Sequence, residues 1–207
     1  ACFHFSYIFI IIIKNSTIKD KLHTFYDNII KKYLRVLNMQ TTMFKGNIVN
    51  LAGDAIGVGD MAPVVSAIGT DLKKVEVGGA KDKIQLIVTV PSLDTDTCAS
   101  ETRRFNEDVN NLDICETTVI SMDLPFASQR FCTTSGIDNL SVASDYMDKS
   151  VSLAYGVLMN DGLLKGLSAR AVFVVDRSGT IVYKEIVEEV TSEPNYEAAL
   201  EAIKEAR

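Results

Sequence analysis

The stretch PSLDTDTCASETRRF, residues 91–105, places one cysteine at the start of a predicted helix. A cysteine in the first turn of a helix faces unpaired backbone N–H groups and the positive end of the helix dipole. Both favour the thiolate, which is the nucleophilic form of cysteine. Thr95 stands one turn before Cys98, where its hydroxyl can bond the sulfur or cap the helix. The residue types and their spacing therefore indicate sulfur chemistry at Cys98.

Thiolate population alone does not make a fast catalyst. A thiol with a pKa of about 8.5 is about 3% ionised at pH 7, and lowering the pKa to about 6 gains only about thirtyfold. Donors must therefore also stabilise the leaving group. Arg170 is the candidate cation, because it opens the apolar run RAVFVV, where an unpaired charge is costly. Plainer interpretations stay open: Cys98 as a small buried apolar side chain, Thr95 as a cap, and Arg170 as half of a structural ion pair.

Residues 39–207 contain no histidine, since His4 and His23 both lie near the N-terminus. This excludes the Cys-His pairs of cysteine proteases and acyl transferases. The cysteines of this region have no regular zinc-ligand spacing, so no metal is expected. They are also too few for the disulfide framework of a small secreted domain. The chemistry that remains is redox chemistry at sulfur.

Cys115 is expected to play no chemical part. It lies between Asp113 and Glu116 in a predicted polar turn. Negative charges beside a thiol raise its pKa and disfavour the thiolate.

Charge is distributed unevenly along the 207 residues. Residues 1–38 carry a balance of +4 and the whole chain carries -6, so residues 39–207 hold -10. Such an acidic body is a poor non-specific ligand for nucleic acid or anionic lipid, and neither partner is expected.

The first 38 residues differ in character from the rest. Their apolar run FSYIFIIII, residues 5–13, is too short to span a bilayer and lacks the flanks of a signal peptide. We interpret residues 1–38 as translated sequence upstream of a start at Met39 or Met43; the alternative is a membrane-surface anchor. We therefore assign the folded domain to residues 39–207.

Periodicity predicts the elements that position the candidate residues. MFKGNIVNL (43–51) is typical of a hairpin, and KIQLIVTV (83–90) of a central strand that ends at Pro91. Residues 98–112 form a predicted helix with Cys98 on its buried face and Glu101 on its polar face. The other predicted elements are a strand at 117–123, a helix at 125–132, a helix at 151–157, a hairpin at 169–187 and a helix at 195–207. This order predicts an α/β, thioredoxin-like fold, in which helices flank a central mixed β-sheet and an N-terminal β-hairpin precedes them.

Several motifs resemble the thiol peroxidase subfamily of the peroxiredoxins. PSLDTDTC has the Pro-x-x-x-Thr-x-x-Cys pattern of peroxiredoxins in general. The subfamily resemblance rests on SLDTDTC, DLPFASQRFC, YGVLMNDGLLKGLSARAVFVVD and EPNYEAAL, which occur in the same order and at matching spacing. The likeness extends from about Thr42 to the C-terminus.

The resemblance implies a role for each matching residue. Cys98 would attack a hydroperoxide as the thiolate and become a sulfenic acid. Cys132 would resolve this acid to an intrachain disulfide, which thioredoxin would reduce. Thr95 would orient peroxide and sulfur, Arg170 would support the thiolate and the developing charge on oxygen, and Pro91 would shield the site.

The same resemblance implies a homodimer that needs neither a metal nor an organic cofactor, and we expect a cytoplasmic location. Residues 1–38 and Cys115 have no functional counterpart in the subfamily pattern. Two other functions remain as alternatives. One is a redox-sensing binding protein in which the disulfide alters a partner surface without meaningful turnover, and the other is a structural module with inert cysteines.

A change of conformation is also predicted. Cys98 and Cys132 are 34 positions apart and lie on different predicted helices. We expect their Cα atoms to be farther apart in the reduced protein than the ~7 Å that a disulfide tolerates. One or both helix ends would then unravel locally during each turnover.

Overall fold

The computed structural model describes residues 40–110 and 112–206. Contacts divide the chain into two compact units, Ala1–Met39 and Gln40–Arg207, and the described residues all lie in the second. The segment 1–38, which we predicted to lie outside the folded domain, falls outside the described residues.

Ten strands and four helices make up the described region, and five of the strands precede its first helix. The strands are β1 (Thr41–Phe44), β2 (Asn47–Ala52), β3 (Val65–Gly69), β4 (Lys74–Val77), β5 (Ile84–Thr89), β6 (Cys115–Ser121), β7 (Ser141–Ser144), β8 (Leu158–Met159), β9 (Ala171–Val175) and β10 (Ile181–Ile186). The helices are α1 (Asp96–Asp108), α2 (Pro125–Ser135), α3 (Ser150–Ala154) and α4 (Tyr196–Glu205). No helix among the described residues has the length and apolar character needed to cross a membrane.

The main sheet is mixed, which confirms the predicted fold. Its seven strands run in the order β10-β9-β5-β6-β7-β3-β4, and β1, β2 and β8 form a separate small sheet. β5 pairs in parallel with β6 and antiparallel with β9. All six residues of β5 are buried, as its continuous apolar run predicts for a strand that is covered on both faces.

Each face of the main sheet packs against its own apolar cluster. One cluster includes Phe105 of α1 with Tyr196 and Ile203 of α4, together with apolar residues of β5. The other includes Val49 of β2 and Tyr155, which follows α3. Burying each large side chain of this kind contributes about 1.5–3 kcal/mol before the cost of ordering it. The cluster around α1 is the one that contains Cys98.

Several elements differ from the prediction. β3, β4 and β7 were not predicted, because β3 and β4 are only partly buried and lack a long apolar run. The predicted helix at 151–157 is reduced to the five residues of α3. Gly156 follows it with φ 67°, and a Cβ there would lie 2.2 Å from the carbonyl oxygen of Asp54. This backbone conformation and the close approach prevent the helix from continuing.

Candidate active site

The Cys98 segment begins where β5 leaves the sheet. The amide of Val90 still donates to the Ile120 carbonyl at 2.9 Å, and the chain then departs at Pro91, which has no N–H to donate. Pro91 is buried, and α1 begins after a short loop. Cys98 lies in the first turn of α1, as predicted, and its side chain is fully buried.

Strand register brings Arg170 to Cys98. Thr89 at the end of β5 pairs with Ala171 at the start of β9, so Arg170 lies beside the point where the Cys98 segment begins. Its Nη2 donates to the Cys98 sulfur at 3.3 Å, and its Nε donates to the Val190 carbonyl at 3.0 Å. The guanidinium is buried with the sulfur. A guanidinium at this distance supplies a donor that favours the thiolate, which purely apolar surroundings would not offer.

Glu101 is the third member of this cluster, and its position differs from the prediction. We predicted Glu101 on the polar face of the helix, but it is fully buried and forms an ion pair with Nη1 of Arg170. The spacing contained the signal, because positions three apart share one face of a helix and Cys98 is three residues earlier. Burial raises the pKa of the Glu101 carboxyl to about 7, although Arg170 acts in the opposite direction.

The Arg170 guanidinium therefore bonds two buried acidic groups, the Glu101 carboxyl and the Cys98 thiol. Burial by itself would lower the pKa of Arg170, but the charges of Glu101 and Cys98 reverse this and raise it. The guanidinium stays charged and presents separate N–H donors to the sulfur and to the carboxyl. The other carboxyl oxygen, Glu101 Oε1, is buried without a hydrogen-bond partner.

The buried carboxyl makes a testable contribution to stability. Because the pKa of Glu101 is about 7 in the folded protein and 4.5 ordinarily, the folded state binds this proton more tightly than the unfolded chain. The free energy of unfolding is thus expected to fall by about 3 kcal/mol as pH rises from about 4.5 to about 7. Glu101→Gln is expected to remove this fall, which denaturant unfolding of both proteins at several pH values would measure.

Glu189 is a carboxyl whose pKa is shifted in the opposite direction, which helps to isolate the effect of Glu101 on stability. Backbone N–H groups of Gly46 and Lys45 help to lower the pKa of Glu189 to about 2, so its contribution to stability is lost only as pH falls below about 4.5. If wild type and Glu101→Gln keep the same pH dependence between about 5 and 7, the proton on Glu101 is assigned wrongly.

Thr95 occupies the N-cap position of α1, but its side chain makes no capping hydrogen bond. Its hydroxyl instead donates to the Ser92 carbonyl at 2.9 Å. The proton of this hydroxyl is therefore directed into the loop rather than toward the Cys98 sulfur. The part that Thr95 would play toward a peroxide stays a prediction.

Asp123, which no sequence motif singled out, ties the Cys98 loop to the segment before α2. Its carboxylate accepts hydrogen bonds from the Ser92 hydroxyl at 2.7 Å and the Leu93 amide at 2.6 Å. It also accepts a bond from the Ser121 hydroxyl at the end of β6, at 2.8 Å. Because β5 and β6 are parallel neighbours, their carboxyl ends meet at one sheet edge, and one carboxylate can span both loops.

Cys132 and Cys115 occupy different environments from Cys98. All three are free thiols, and both Cys132 and Cys115 are partly buried. Burial raises the pKa of the Cys132 thiol and raises that of Cys115 to about 11. Cys115 is the first residue of β6 rather than part of a polar turn, so burial and not its acidic neighbours is the main cause. Among the described cysteines, Cys98 is the one that accepts a hydrogen bond from a guanidinium.

The fold and the site together define a class of protein. A thioredoxin-like mixed sheet that carries a buried helix-start thiol beside an arginine is the arrangement of a thiol-based redox protein. The family described as Redoxin matches residues 57–200.

The curated relatives include thiol peroxidases of several bacteria. The chain is 47% identical over 166 residues to the thiol peroxidase of Aquifex aeolicus, a match that covers 80% of this chain and 98% of that protein. It is 51% identical over 157 residues to the thiol peroxidase of Campylobacter jejuni, with 76% and 89% covered. The chain therefore belongs to the thiol peroxidase family of the peroxiredoxins.

Solved structures agree with this assignment. A peroxiredoxin-like protein from Aquifex aeolicus superposes with a TM-score of 0.79 at 46% identity, covering 82% of this chain and 99% of that one. A thiol peroxidase from Chromobacterium violaceum gives a TM-score of 0.72 at 19% identity, covering 80% and 95%, which shows a shared fold. Among the described residues, no group of three or more His, Cys, Asp or Glu side chains is placed to hold a metal ion.

Proposed function

We propose that this protein reduces hydroperoxides at Cys98. The thiolate attacks one peroxide oxygen, the O–O bond breaks, and a new S–O bond makes the sulfenic acid. The sulfur is oxidised, the peroxide is reduced, and the leaving oxygen takes up one proton to become an alcohol or water. The observation that carries this proposal is the 3.3 Å hydrogen bond from Arg170 to the Cys98 sulfur in a member of this family.

The other residues of the site have supporting parts in the proposal. Arg170 stabilises the thiolate and the charge that develops on the peroxide oxygens, at a buried position where such donors act strongly. Pro91, which is buried beside the loop, keeps water from the sulfur. Thr95 orients the peroxide, and its position at the N-cap of α1 places it one turn before the sulfur.

Cys132 acts in the second step. Its thiol attacks the sulfenic sulfur of Cys98, water leaves, and a Cys98–Cys132 disulfide forms. A thioredoxin then reduces this bond through a mixed disulfide. This assignment is supported by the packing of Cys132 against the apolar cluster that contains Cys98.

The proposal extends to the organisation of the protein. Residues 39–207 are the catalytic domain and residues 1–38 take no part in it. The chain works as a homodimer in the cytoplasm, where a reducing environment keeps the thiols free and a thioredoxin available. It uses no metal or organic cofactor, since thiolate attack on a peroxide requires neither.

Cys132→Ser separates the two steps. This variant is expected to consume one equivalent of peroxide at the wild-type rate and then stop, because its sulfenic acid has no partner thiol. Peroxide consumption in the presence of thioredoxin and its reductase would measure this. Cys115→Ser is the matched control and is expected to turn over like wild type. Sustained turnover by Cys132→Ser would reject the resolving role of Cys132.

A redox-sensing binding protein is the second candidate, because the same disulfide would also change a surface near α2. The two functions differ in the rate at which Cys98 is expected to react with peroxide. If Cys98 reacts with peroxide no faster than a free cysteine thiolate, the sensor is favoured over the enzyme.

A further inference from the structure

The end of α2 is held by a side chain from the Cys98 helix. Asn106 of α1 is buried, and its Nδ2 donates to the Gly136 carbonyl at 3.2 Å. Its Oδ1 accepts hydrogen bonds from the amides of Asp138 at 3.1 Å and Asn139 at 2.9 Å. The Asn139 side chain donates back to the Asn106 carbonyl at 3.1 Å. These bonds join the helix of Cys98 to residues 136–139, which directly follow α2.

Cys132 belongs to the part of α2 that these bonds secure. The Cys132 carbonyl accepts from the Gly136 amide at the C-cap and from the Ile137 amide at 3.0 Å. Gly136 adopts a left-handed conformation, with φ 64°. The last turn of α2 therefore continues directly into the residues that Asn106 holds.

Apart from these hydrogen bonds, the second half of α2 is supported by side chains that are only partly buried: Phe131 and Cys132 pack against the apolar cluster around α1. Two of the eleven residues of α2, Pro125 and Ser128, are buried, and both lie in its first half. Thr133 and Thr134 occupy the last turn, and β-branched residues have low helix propensity. Their hydroxyls bond back to the carbonyls of Gln129 and Arg130, a pattern that slightly destabilises helices. A turn without a fully buried side chain is expected to open at lower cost than one in the core.

The start of α1, which carries Cys98, is held more firmly than the end of α2, which carries Cys132. Cys98 is fully buried and bonded to Arg170, and α1 buries five residues. Cys132, in contrast, is only partly buried. Opening the end of α2 would also relieve the burial that raises the pKa of the Cys132 thiol, and so favour its thiolate.

We propose that Asn106 is a positioning residue that holds the last turn of α2 closed, and that release of its hydrogen bonds sets the rate at which the Cys98–Cys132 disulfide forms. This inference rests on the resolving role proposed for Cys132. The sulfur of Cys98 reacts with peroxide while α2 is closed, and Cys132 reaches the sulfenic acid when it opens. If a substitution weakens the closed form by a given factor in the closed-to-open equilibrium constant, the population of the open form rises by that factor as long as the closed form predominates.

Asn106→Ala tests the proposal in two measurements. In the reduced protein, amide hydrogen exchange over residues 132–139 is expected to be about tenfold faster, equivalent to about 1.4 kcal/mol, because the three hydrogen bonds of the Asn106 side chain are lost while the freed backbone groups lie on exposed residues that can bond water. In single-turnover reactions, the peroxide step is expected to keep its rate, whereas disulfide formation becomes about tenfold faster. The variant is also expected to need more peroxide for over-oxidation of Cys98 to the sulfinic acid.

Two control variants test whether the result is specific to the hydrogen bonds of Asn106. Asn110→Ala removes an exposed asparagine just beyond the same helix and is expected to change neither step. Asn106→Asp keeps the acceptor for the two amides but replaces the donor to the Gly136 carbonyl. It is expected to act in the same direction and serves if the alanine variant does not fold.

Unchanged exchange over residues 132–139, or faster exchange with an unchanged rate of disulfide formation, would overturn the inference. A wild-type protein that forms no Cys98–Cys132 disulfide would instead overturn the proposed resolving role. That failure is visible before any variant is made, and the exchange measurement would still decide whether Asn106 holds α2.

Discussion

Replacing Cys98 with serine is expected to abolish peroxide reduction, lowering its rate by at least about a thousandfold. A serine hydroxyl is not ionised near neutral pH, so the site would lose its nucleophile while its shape stays almost the same. The buried hydroxyl still accepts a hydrogen bond from Arg170, so the fold is expected to persist. Stopped-flow measurement of peroxide loss checks the rate, and thermal unfolding checks the fold.

Cys115→Ser provides the comparison for this experiment. Cys115 is partly buried, and burial raises its pKa to about 11, so the thiolate is scarce there at neutral pH. This variant is expected to react with peroxide like wild type. If Cys98→Ser stays active, or if Cys115→Ser is inactive, the nucleophile is assigned wrongly.

Arg170→Gln is expected to slow the reaction of Cys98 with peroxide by about 10²–10³-fold. Removing one preorganised donor from a developing oxyanion has effects of this size in other enzymes. The variant also leaves Glu101 buried without its ion-pair partner, which is expected to cost about 3–5 kcal/mol of stability. Single-turnover kinetics and denaturant unfolding measure the two effects separately.

A double variant separates catalysis from stability. In Arg170→Gln with Glu101→Gln, both members of the buried pair are neutral, so most of the lost stability is expected to return. The reaction with peroxide is expected to stay slow, because the sulfur still lacks its guanidinium. Recovery of the reaction rate together with stability would mean that Arg170 is a structural residue and not a catalytic one.

Much of the fold could be predicted because it follows from local pattern. The continuous apolar run at 83–90 and the periodicity after Cys98 identified β5 and α1 correctly. Pro125 and Gly136 mark the two ends of α2 by well-known terminus preferences. β3 and β4 escaped prediction because partly buried strands near a sheet edge lack a long apolar run.

Site residues could be predicted from the sequence where their type is unusual for their position. An arginine at the start of an apolar strand requires a partner, and Arg170 does contact Cys98. Glu101, Asn106 and Asp123 were missed because polar residues in a helix or loop are usually exposed. Spacing from Cys98 could have placed Glu101 on the buried face of α1, but the partners of all three residues lie on elements distant in sequence, which periodicity along one helix does not contain.

Trapping the sulfenic acid tests the central claim most directly. Reduced Cys132→Ser protein would be treated with one equivalent of hydrogen peroxide and a reagent that labels sulfenic acids, and the labelled peptide identified by mass spectrometry. The account predicts a single label on Cys98, which disappears when Cys98 is also replaced by serine. A label on Cys115, or none although peroxide is consumed, would contradict it.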